Sequence, residues 1–95
     1  MDEDEALVHS VGMHAVFALK EENLRQLTAT YDGSTRECAI SVCLRNETEE
    51  CYLEAVGHLA DLQILFQSEV HLTYSFDEYV HEHTAKASER QFSFV

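Results

Sequence analysis

Residues 36–74, RECAISVCLRNETEECYLEAVGHLADLQILFQSEVHLTY, decide the fold, because they hold the clearest succession of strand, helix and strand in the chain. Apolar and polar side chains alternate over residues 36–45, which is the pattern of a strand with one buried face. The residues on its apolar side are Cys38, Ile40, Val42 and Leu44. Residues 70–74 alternate in the same way, and we predict a second strand there.

The segment between these two strands predicts the longest helix, over residues 46–67. Asn46 and Glu49 have the spacing of a capping box, in which each side chain accepts a hydrogen bond from a backbone amide at the helix start. An apolar stripe at helical spacing follows, formed by Tyr52, Val56, Leu59, Leu62 and Phe66. We expect this stripe to face the core.

Two further elements are predicted upstream. The apolar run HAVFAL, residues 14–19, has the length of a strand that is buried on both faces. Residues 20–31 carry Leu24 and Leu27 at helical spacing and two carboxylates in the first turn. We therefore expect a helix there, ended by the glycine at position 33.

Two more elements are predicted downstream. Ser75 and Glu78 form a second capping-box pair, which predicts a helix over residues 76–89. The apolar residues of 91–95 predict a closing strand. The elements then follow the order β-α-β-α-β-α-β, and we expect an α+β (mixed α/β) fold in which three helices pack on a small sheet of four short strands.

The length of 95 residues predicts a single domain, residues 1–95. Residues 1–11 begin with MDEDE, and we expect them to form an acidic, frayed N-terminal extension. The start does not resemble a leader peptide, and no apolar stretch approaches about 18 residues. Three cysteines without CxxC spacing indicate free thiols. These features predict a cytoplasmic protein that has no contact with a membrane.

The charge balance narrows the class of partner. The chain has 18 acidic and 6 basic residues, which gives a formal net charge of −12. A field of this sign repels nucleic acid and anionic lipid, so we expect no direct binding of nucleic acid. The same field attracts a basic surface of another protein. The alternative is that the acidity serves only solubility or adaptation to a salty cytoplasm.

No constellation of residues points to a reaction, and we expect no enzyme, no cofactor and no bound metal. His81 and His83 are two positions apart, which on the predicted helix puts them on different sides. Cys51 lies near a helix start, but the carboxylates around it oppose formation of a thiolate. The sequence also has no glycine-rich phosphate loop, no GxSxG motif and no HExxH motif.

Clustered carboxylates are the remaining candidate site, with tyrosines between them that could serve as anchors. The residues that we expect to bind a partner are Glu47, Glu49, Glu50, Glu54, Asp77, Glu78 and Glu82. The leading hypothesis is a small acidic protein-binding domain that covers a basic surface of its partner. It would act as a stoichiometric inhibitor or immunity-type protein, and in a sharper version as a mimic of nucleic acid.

Two other classes of function stay open. The first is a self-associating structural module, since apolar edge strands could pair across a dimer. The chain would accordingly be a monomer or a homodimer. The second is a metal-dependent or thiol-dependent enzyme.

Residues 11–27, VGMHAVFALKEENLRQL, resemble the opening of the YfbM-like bacterial family, a domain of unknown function. The matching positions are Gly12, Met13, Phe17, Glu22, Leu24 and Leu27. Residues 78–95, EYVHEHTAKASERQFSFV, are similar to the final helix and terminal strand of that family. The resemblance covers the two ends of the chain and indicates a shortened, divergent member. It implies a mixed α/β domain whose first and last strands are neighbours, and it implies no catalytic residue.

Overall fold

The computed structural model describes residues 3–77 and 89–94 of the chain. Within these residues the order of elements is α1 (Glu3–Leu19), β1 (Leu24–Asp32), β2 (Glu37–Leu44), α2 (Glu49–Leu65), β3 (His71–Phe76) and β4 (Glu89–Ser93). A short 3₁₀ turn, Glu21–Asn23, joins α1 to β1. The predicted α+β class is confirmed, and so is a sheet of four strands.

The four strands form one mixed sheet in the order β3-β2-β1-β4. β1 runs antiparallel to both of its neighbours, β2 and β4, whereas β2 and β3 are parallel. The parallel pair is joined through α2, since neighbouring parallel strands need a crossover connection. β1 and β4, the first and last strands of the described sheet, are therefore neighbours. The first strand, however, is not residues 14–19, where the sequence predicted it.

Both helices lie on one face of the sheet. Ala29 of β1 pairs with Ile40 of β2, and a methyl group at Gly12 of α1 would lie 3.7 Å from the Cβ of Ala29. On the same face, the ring of Tyr52 in α2 packs against Phe76 of β3. The buried apolar residues between the two layers are Val8, Val11, Ala15, Leu19, Leu24, Leu27, Ala29, Cys38, Ile40, Val42, Leu44, Ala55, Leu59, Leu62, Phe66, Val70 and Leu72.

The opposite face of the sheet is polar. Its cross-strand rows consist of Gln26, Cys43 and Ser93, then Thr28, Ser41 and Gln91, then Thr30, Ala39 and Glu89. Alternation along each strand produces this face, because every second side chain points away from the helices. The apolar core is therefore on the helix side of the sheet.

The expected strand at residues 14–19 is wrong, because these residues form the end of α1. The buried residues of this helix are Val8, Val11, Gly12, Ala15 and Leu19, which recur at helical spacing. The run HAVFAL hides this spacing because apolar residues also occupy the exposed side of the helix. Neither α1 nor α2, the two α-helices of the described residues, is long and apolar enough to cross a membrane.

Residues 3–11 are the first half of α1 rather than a frayed extension. Val8 and Val11 are fully buried in the core. The carboxylates of Glu3, Asp4 and Glu5 stand in the first turn, where they complement the positive end of the helix dipole. The acidic opening of the chain is thus a helix start.

The expected helix at residues 20–31 is also wrong, since residues 24–32 form β1. The pairing register shifts between Leu24, which lies opposite Leu44, and Gln26, which lies opposite Cys43. Such a bulge inserts one extra residue into a strand and resets its alternation. As a result Leu24 and Leu27 both face the helices at a spacing of three, which in the sequence is the signature of a helix.

The third predicted helix, over residues 76–89, lies mostly outside the described residues. Its first residue, Phe76, is the last residue of β3, and its last residue, Glu89, is the first residue of β4. The described residues therefore contain two α-helices where the sequence predicted three. The closing strand begins at Glu89, two residues earlier than expected.

Candidate functional site

The start of α2 presents the first group of predicted partner-binding residues. Thr48 caps this helix, since its hydroxyl oxygen accepts a hydrogen bond of 3.2 Å from the backbone N–H of Cys51. The helix thus begins at Glu49, and Thr48 rather than Asn46 is its cap. Glu49 and Glu50 occupy the exposed first turn, where a carboxylate is favoured by the helix dipole.

The end of β3 brings Asp77 to the same region. Its backbone N–H donates to the carbonyl oxygen of Val42 at 2.8 Å, which continues the parallel pairing of β2 and β3 by one residue. Burial raises the pKa of the Cys43 thiol, the guanidinium of Arg25 lowers it, and the carboxylates of Glu47 and Asp77 raise it. Glu47 and Asp77 therefore both lie within electrostatic range of one thiol.

These carboxylates share one end of the sheet, where β2 and β3 finish and α2 begins. We call this surface the acidic end, and it consists of Glu47, Glu49, Glu50, Glu54 and Asp77. Five of the seven predicted partner-binding residues lie in this part of the fold: Glu47 and Asp77 near the Cys43 thiol, and Glu49, Glu50 and Glu54 in the first two turns of α2. The other two, Glu78 and Glu82, lie outside the described residues.

An aromatic contact connects the two parts of the acidic end. The rings of Tyr52 in α2 and Phe76 in β3 meet edge to face, with centroids 5.1 Å apart and planes at 90°. Tyr74 packs edge-on against the same Phe76 ring at 6.3 Å. Both tyrosines are half-buried, so they mainly hold α2 against the strand. The neighbouring Leu53 side chain is 65% exposed.

Four of the five carboxylates of the acidic end have no ion-pair partner in the part of the chain that the structure describes. Among residues 3–77 and 89–94, no ion pair is formed by Glu47, Glu49, Glu50 or Glu54. Arg45 is nearby, but its Nη2 atom donates to the carbonyl oxygens of Leu24 at 3.1 Å and Phe94 at 2.9 Å. Arg45 therefore ties the start of β1 to the residue after β4.

A cavity of about 240 Å³ lies between the end of α1 and the start of α2. Its lining residues are Ala18, Leu19, Lys20, Asn23, Leu44, Asn46, Cys51, Glu54, Ala55 and His58. A cavity of about 150 Å³ holds a benzene molecule, so there is room here for a small organic molecule. Lys20 in its wall has a φ angle of 73°, which is strained for a residue with a side chain.

Sequence reasoning missed this cavity, although part of its signal is present. Cys51, Glu54 and His58 follow at spacings of three and four, which puts them on one side of α2. Their meeting with the end of α1 depends on tertiary packing. Within the described part of the chain, no group of three or more histidine, cysteine or acidic residues is arranged to hold a metal ion.

The buried thiols are poorly suited to nucleophilic chemistry. Burial raises the pKa of Cys38 to about 11 and also raises that of Cys43. Both thiols are therefore protonated at neutral pH, and it is the thiolate that attacks. All three cysteines of the chain are free, and Cys51 is half-buried at the cavity.

Comparisons of this chain with protein-family models, with curated proteins and with solved structures find no match. The resemblance to the YfbM-like family therefore stays a prediction. No residue role is transferred from a relative, and the function of the chain is inferred from the geometry of its described residues alone.

Proposed function

We propose that this chain is a small acidic protein-binding domain whose acidic end covers a basic surface of another protein. The supporting observation is that Glu47 and Asp77 both lie near one thiol at the end of β2, and that Glu49 and Glu50, in the first turn of the helix that follows, are exposed and form no ion pair within the described residues. The domain would act stoichiometrically, as an inhibitor or an immunity-type protein does.

Charge speeds the encounter with a basic partner, and buried apolar area adds affinity. A net charge of −12 speeds the approach of a basic partner, and this effect weakens steeply with salt. Exposed charges alone contribute little to affinity. Leu53, 65% exposed and in the same two turns as the carboxylates, offers apolar area that a partner can bury.

The location that we propose is a reducing compartment such as the cytoplasm, because all three cysteines are free.

If the basic surface of the partner is one that binds nucleic acid, the acidic end would act as a mimic of nucleic acid. Competition between this protein and a short duplex for the captured partner tests that version.

The test uses two variants with the same change in net charge. One carries Glu47→Gln, Glu49→Gln and Glu50→Gln at the acidic end. The control carries Glu3→Gln, Glu37→Gln and Glu69→Gln, which are exposed residues at the opposite end of the sheet. Wild-type protein is used to capture partners from a lysate of its source cells at about 0.01 M and about 1 M salt, where the Debye length is about 30 Å and about 3 Å.

We expect one captured protein to bind wild type and control alike at low salt, and to bind the acidic-end variant at least about tenfold more weakly. Equal losses in both variants would mean that the charge acts only as a bulk property. If the captured protein binds equally well at both salt concentrations and to wild type and both variants, the proposal is contradicted.

A further inference from the structure

The cavity between the end of α1 and the start of α2 has no role in the proposed function, although Glu54 belongs both to it and to the acidic end. Leu19, Leu44 and Ala55 are buried and form the apolar inner wall of this cavity. Lys20 and Glu54 are exposed, so their charged groups stand on its solvent side. An apolar pocket with a few polar groups that fix orientation is the usual form of a small-molecule site.

The two charged groups of the cavity have opposite signs and come from different elements. Lys20 directly follows α1, whereas Glu54 lies in the second turn of α2. In the part of the chain that the structure describes, neither side chain forms an ion pair or a hydrogen bond, with the other or with any third residue. Both charges are therefore available to a ligand that enters between the two helices.

The backbone at Lys20 is held in a strained conformation. Its φ angle of 73° lies in the region that favours glycine. Hydrogen bonds fix it on both sides, since its N–H donates to the carbonyl oxygen of Val16 at 2.8 Å and its own carbonyl oxygen accepts from the N–H of Asn23 at 3.0 Å. Strained residues that the surrounding structure holds in this way cluster at ligand sites. Here the strain puts one of the six basic residues of the chain in the cavity wall.

The volume of the cavity limits the size of its ligand. A cavity of about 150 Å³ holds benzene, which has six non-hydrogen atoms. This cavity, at about 240 Å³, is larger by more than half. On the same scale it has room for a molecule of about nine non-hydrogen atoms. A free amino acid with a branched aliphatic side chain has this size.

We propose that this cavity binds a small zwitterion of the class of free amino acids with an apolar side chain. The carboxylate of the ligand pairs with Lys20, its ammonium group pairs with Glu54, and its side chain covers the apolar inner wall. The inference goes beyond the proposed function, because it gives the domain a second, small-molecule site.

The charges of the cavity favour a zwitterion over other small molecules. An anion without an ammonium group meets the Glu54 carboxylate and a chain with a net charge of −12, and a cation without a carboxylate meets the Lys20 ammonium. An uncharged ligand removes water from both charged groups without pairing either of them, which costs free energy. A zwitterion compensates both charges at once.

Isothermal titration calorimetry of the full chain tests the inference with three probes that share one aliphatic group. They are L-leucine, 4-methylpentanoate, which lacks the ammonium group, and 3-methylbutylamine, which lacks the carboxylate. We expect one L-leucine to bind per chain, at least about tenfold more tightly than either of the other probes, because each of them loses one charged pair. Absence of L-leucine binding overturns the inference, and so does equal affinity for all three probes.

Two variants locate the site. Lys20→Gln and Glu54→Gln should each weaken L-leucine binding at least about tenfold. Arg36→Gln and Glu69→Gln are the matched controls, since they make the same changes of charge at exposed positions outside the cavity, and they should bind as the wild type does. Equal losses in variants and controls overturn the inference. Glu54 is not changed in the test of the acidic end, so capture of a partner and binding of L-leucine can fail independently.

Cys51 provides a readout in the wild-type protein. Its half-buried thiol lines the cavity, whereas Cys38 and Cys43 are buried. Iodoacetamide should therefore alkylate Cys51 first, because this thiol is the most accessible of the three. L-leucine should slow the alkylation in proportion to the fraction of chains that it occupies. An unchanged rate at saturating L-leucine would put the ligand outside the cavity and overturn the inference.

Discussion

Gly12 of α1 lies so close to Phe92 of β4 that a methyl group on its α-carbon would approach the Cε2 atom of that ring to 2.6 Å. The ring of His9 packs nearby, with its centroid 6.2 Å from that of Phe92. The missing side chain at position 12 therefore sets the distance between the first helix and the last described strand. Gly57, in the middle of α2, is open at the corresponding position: apart from its own helix backbone and chain neighbours, no atom of the described residues lies within 4 Å.

This contrast predicts opposite effects of the same substitution. Gly57→Ala should raise the free energy of unfolding by about 1 kcal/mol, which is the difference in helix propensity. Gly12→Ala gains the same propensity but overpacks the helix against Phe92, at a cost of about 1–3 kcal/mol. We expect a net loss of roughly 1 kcal/mol. Urea denaturation of the two variants measures both values, and equal shifts would show that position 12 is not tightly packed.

Lys20 has φ 73° and ψ 132°, a backbone conformation that glycine adopts far more readily than other residues. Lys20→Gly should therefore raise the free energy of unfolding by about 1 kcal/mol. Lys20→Ala, which removes the same side chain but keeps the Cβ atom, should give no such gain. A similar gain in both variants would assign the effect to the lysine side chain rather than to the backbone.

The stability of the β1–β2 turn should depend on pH, because it depends on the charge of the Asp32 carboxylate. Its carboxylate accepts hydrogen bonds from the Ser34 hydroxyl at 2.7 Å and the Ser34 backbone amide at 3.0 Å, which hold its pKa below the ordinary 3.8. Because the pKa is lower in the fold than in the unfolded chain, the ionised carboxylate stabilises the fold at pH values above the ordinary pKa of 3.8. This stabilisation disappears as the pH falls through the pKa of the folded state. Ser34→Ala should therefore destabilise the protein near neutral pH, with a loss that shrinks toward about pH 2.

Thermal unfolding across this pH range measures that loss. Ser68→Ala, a change at an exposed serine outside the turn, is the control and should have no pH-dependent effect. A loss in Ser34→Ala that stays constant with pH would rule out the carboxylate as its cause.

We expect the protein to lose stability in alkali through ionisation of the buried Cys38 thiol. Burial raises its pKa from 9.0 to about 11, so the thiol ionises more easily in the unfolded chain than in the fold. The resulting stabilisation is complete below about pH 9 and is lost as the pH rises through about 11. We expect wild type to lose stability over this range more steeply than Cys38→Ala, as followed by urea denaturation. Cys51→Ala should keep the steep loss, and parallel curves for wild type and Cys38→Ala would contradict the prediction.

The segments that could be predicted have one dominant periodicity. β2 alternates cleanly, and α2 has a helical stripe ending at Phe66, so both were expected within a few residues of their observed bounds. Residues 14–31 lack this property. The helix α1 is apolar on its exposed side as well, and the bulge after Leu24 gives β1 a helical spacing. Either feature reverses an assignment that rests on spacing alone.

The candidate site was predictable only in part for a related reason. Glu47, Glu49, Glu50 and Glu54 are close in sequence, so their clustering follows from one helix start. The position of Asp77 near the same thiol as Glu47 follows from the parallel pairing of β2 with β3, which is a non-local contact. The exposure of Phe17 was also missed, because it depends on which side of α1 meets the sheet.

The strand order implies a sequence of events during synthesis. β1 and β2 are joined by a tight turn and can pair early, whereas β1 and β4 join residues as distant as Gln26 and Ser93. Non-local pairs form late, since a long loop must close before they contribute. Until residues 89–93 leave the ribosome, one edge of β1 lacks a partner strand and the ring that packs on Gly12 is missing. The nascent chain therefore has an open, template-like strand edge until β4 has been made, and completion of β4 closes it.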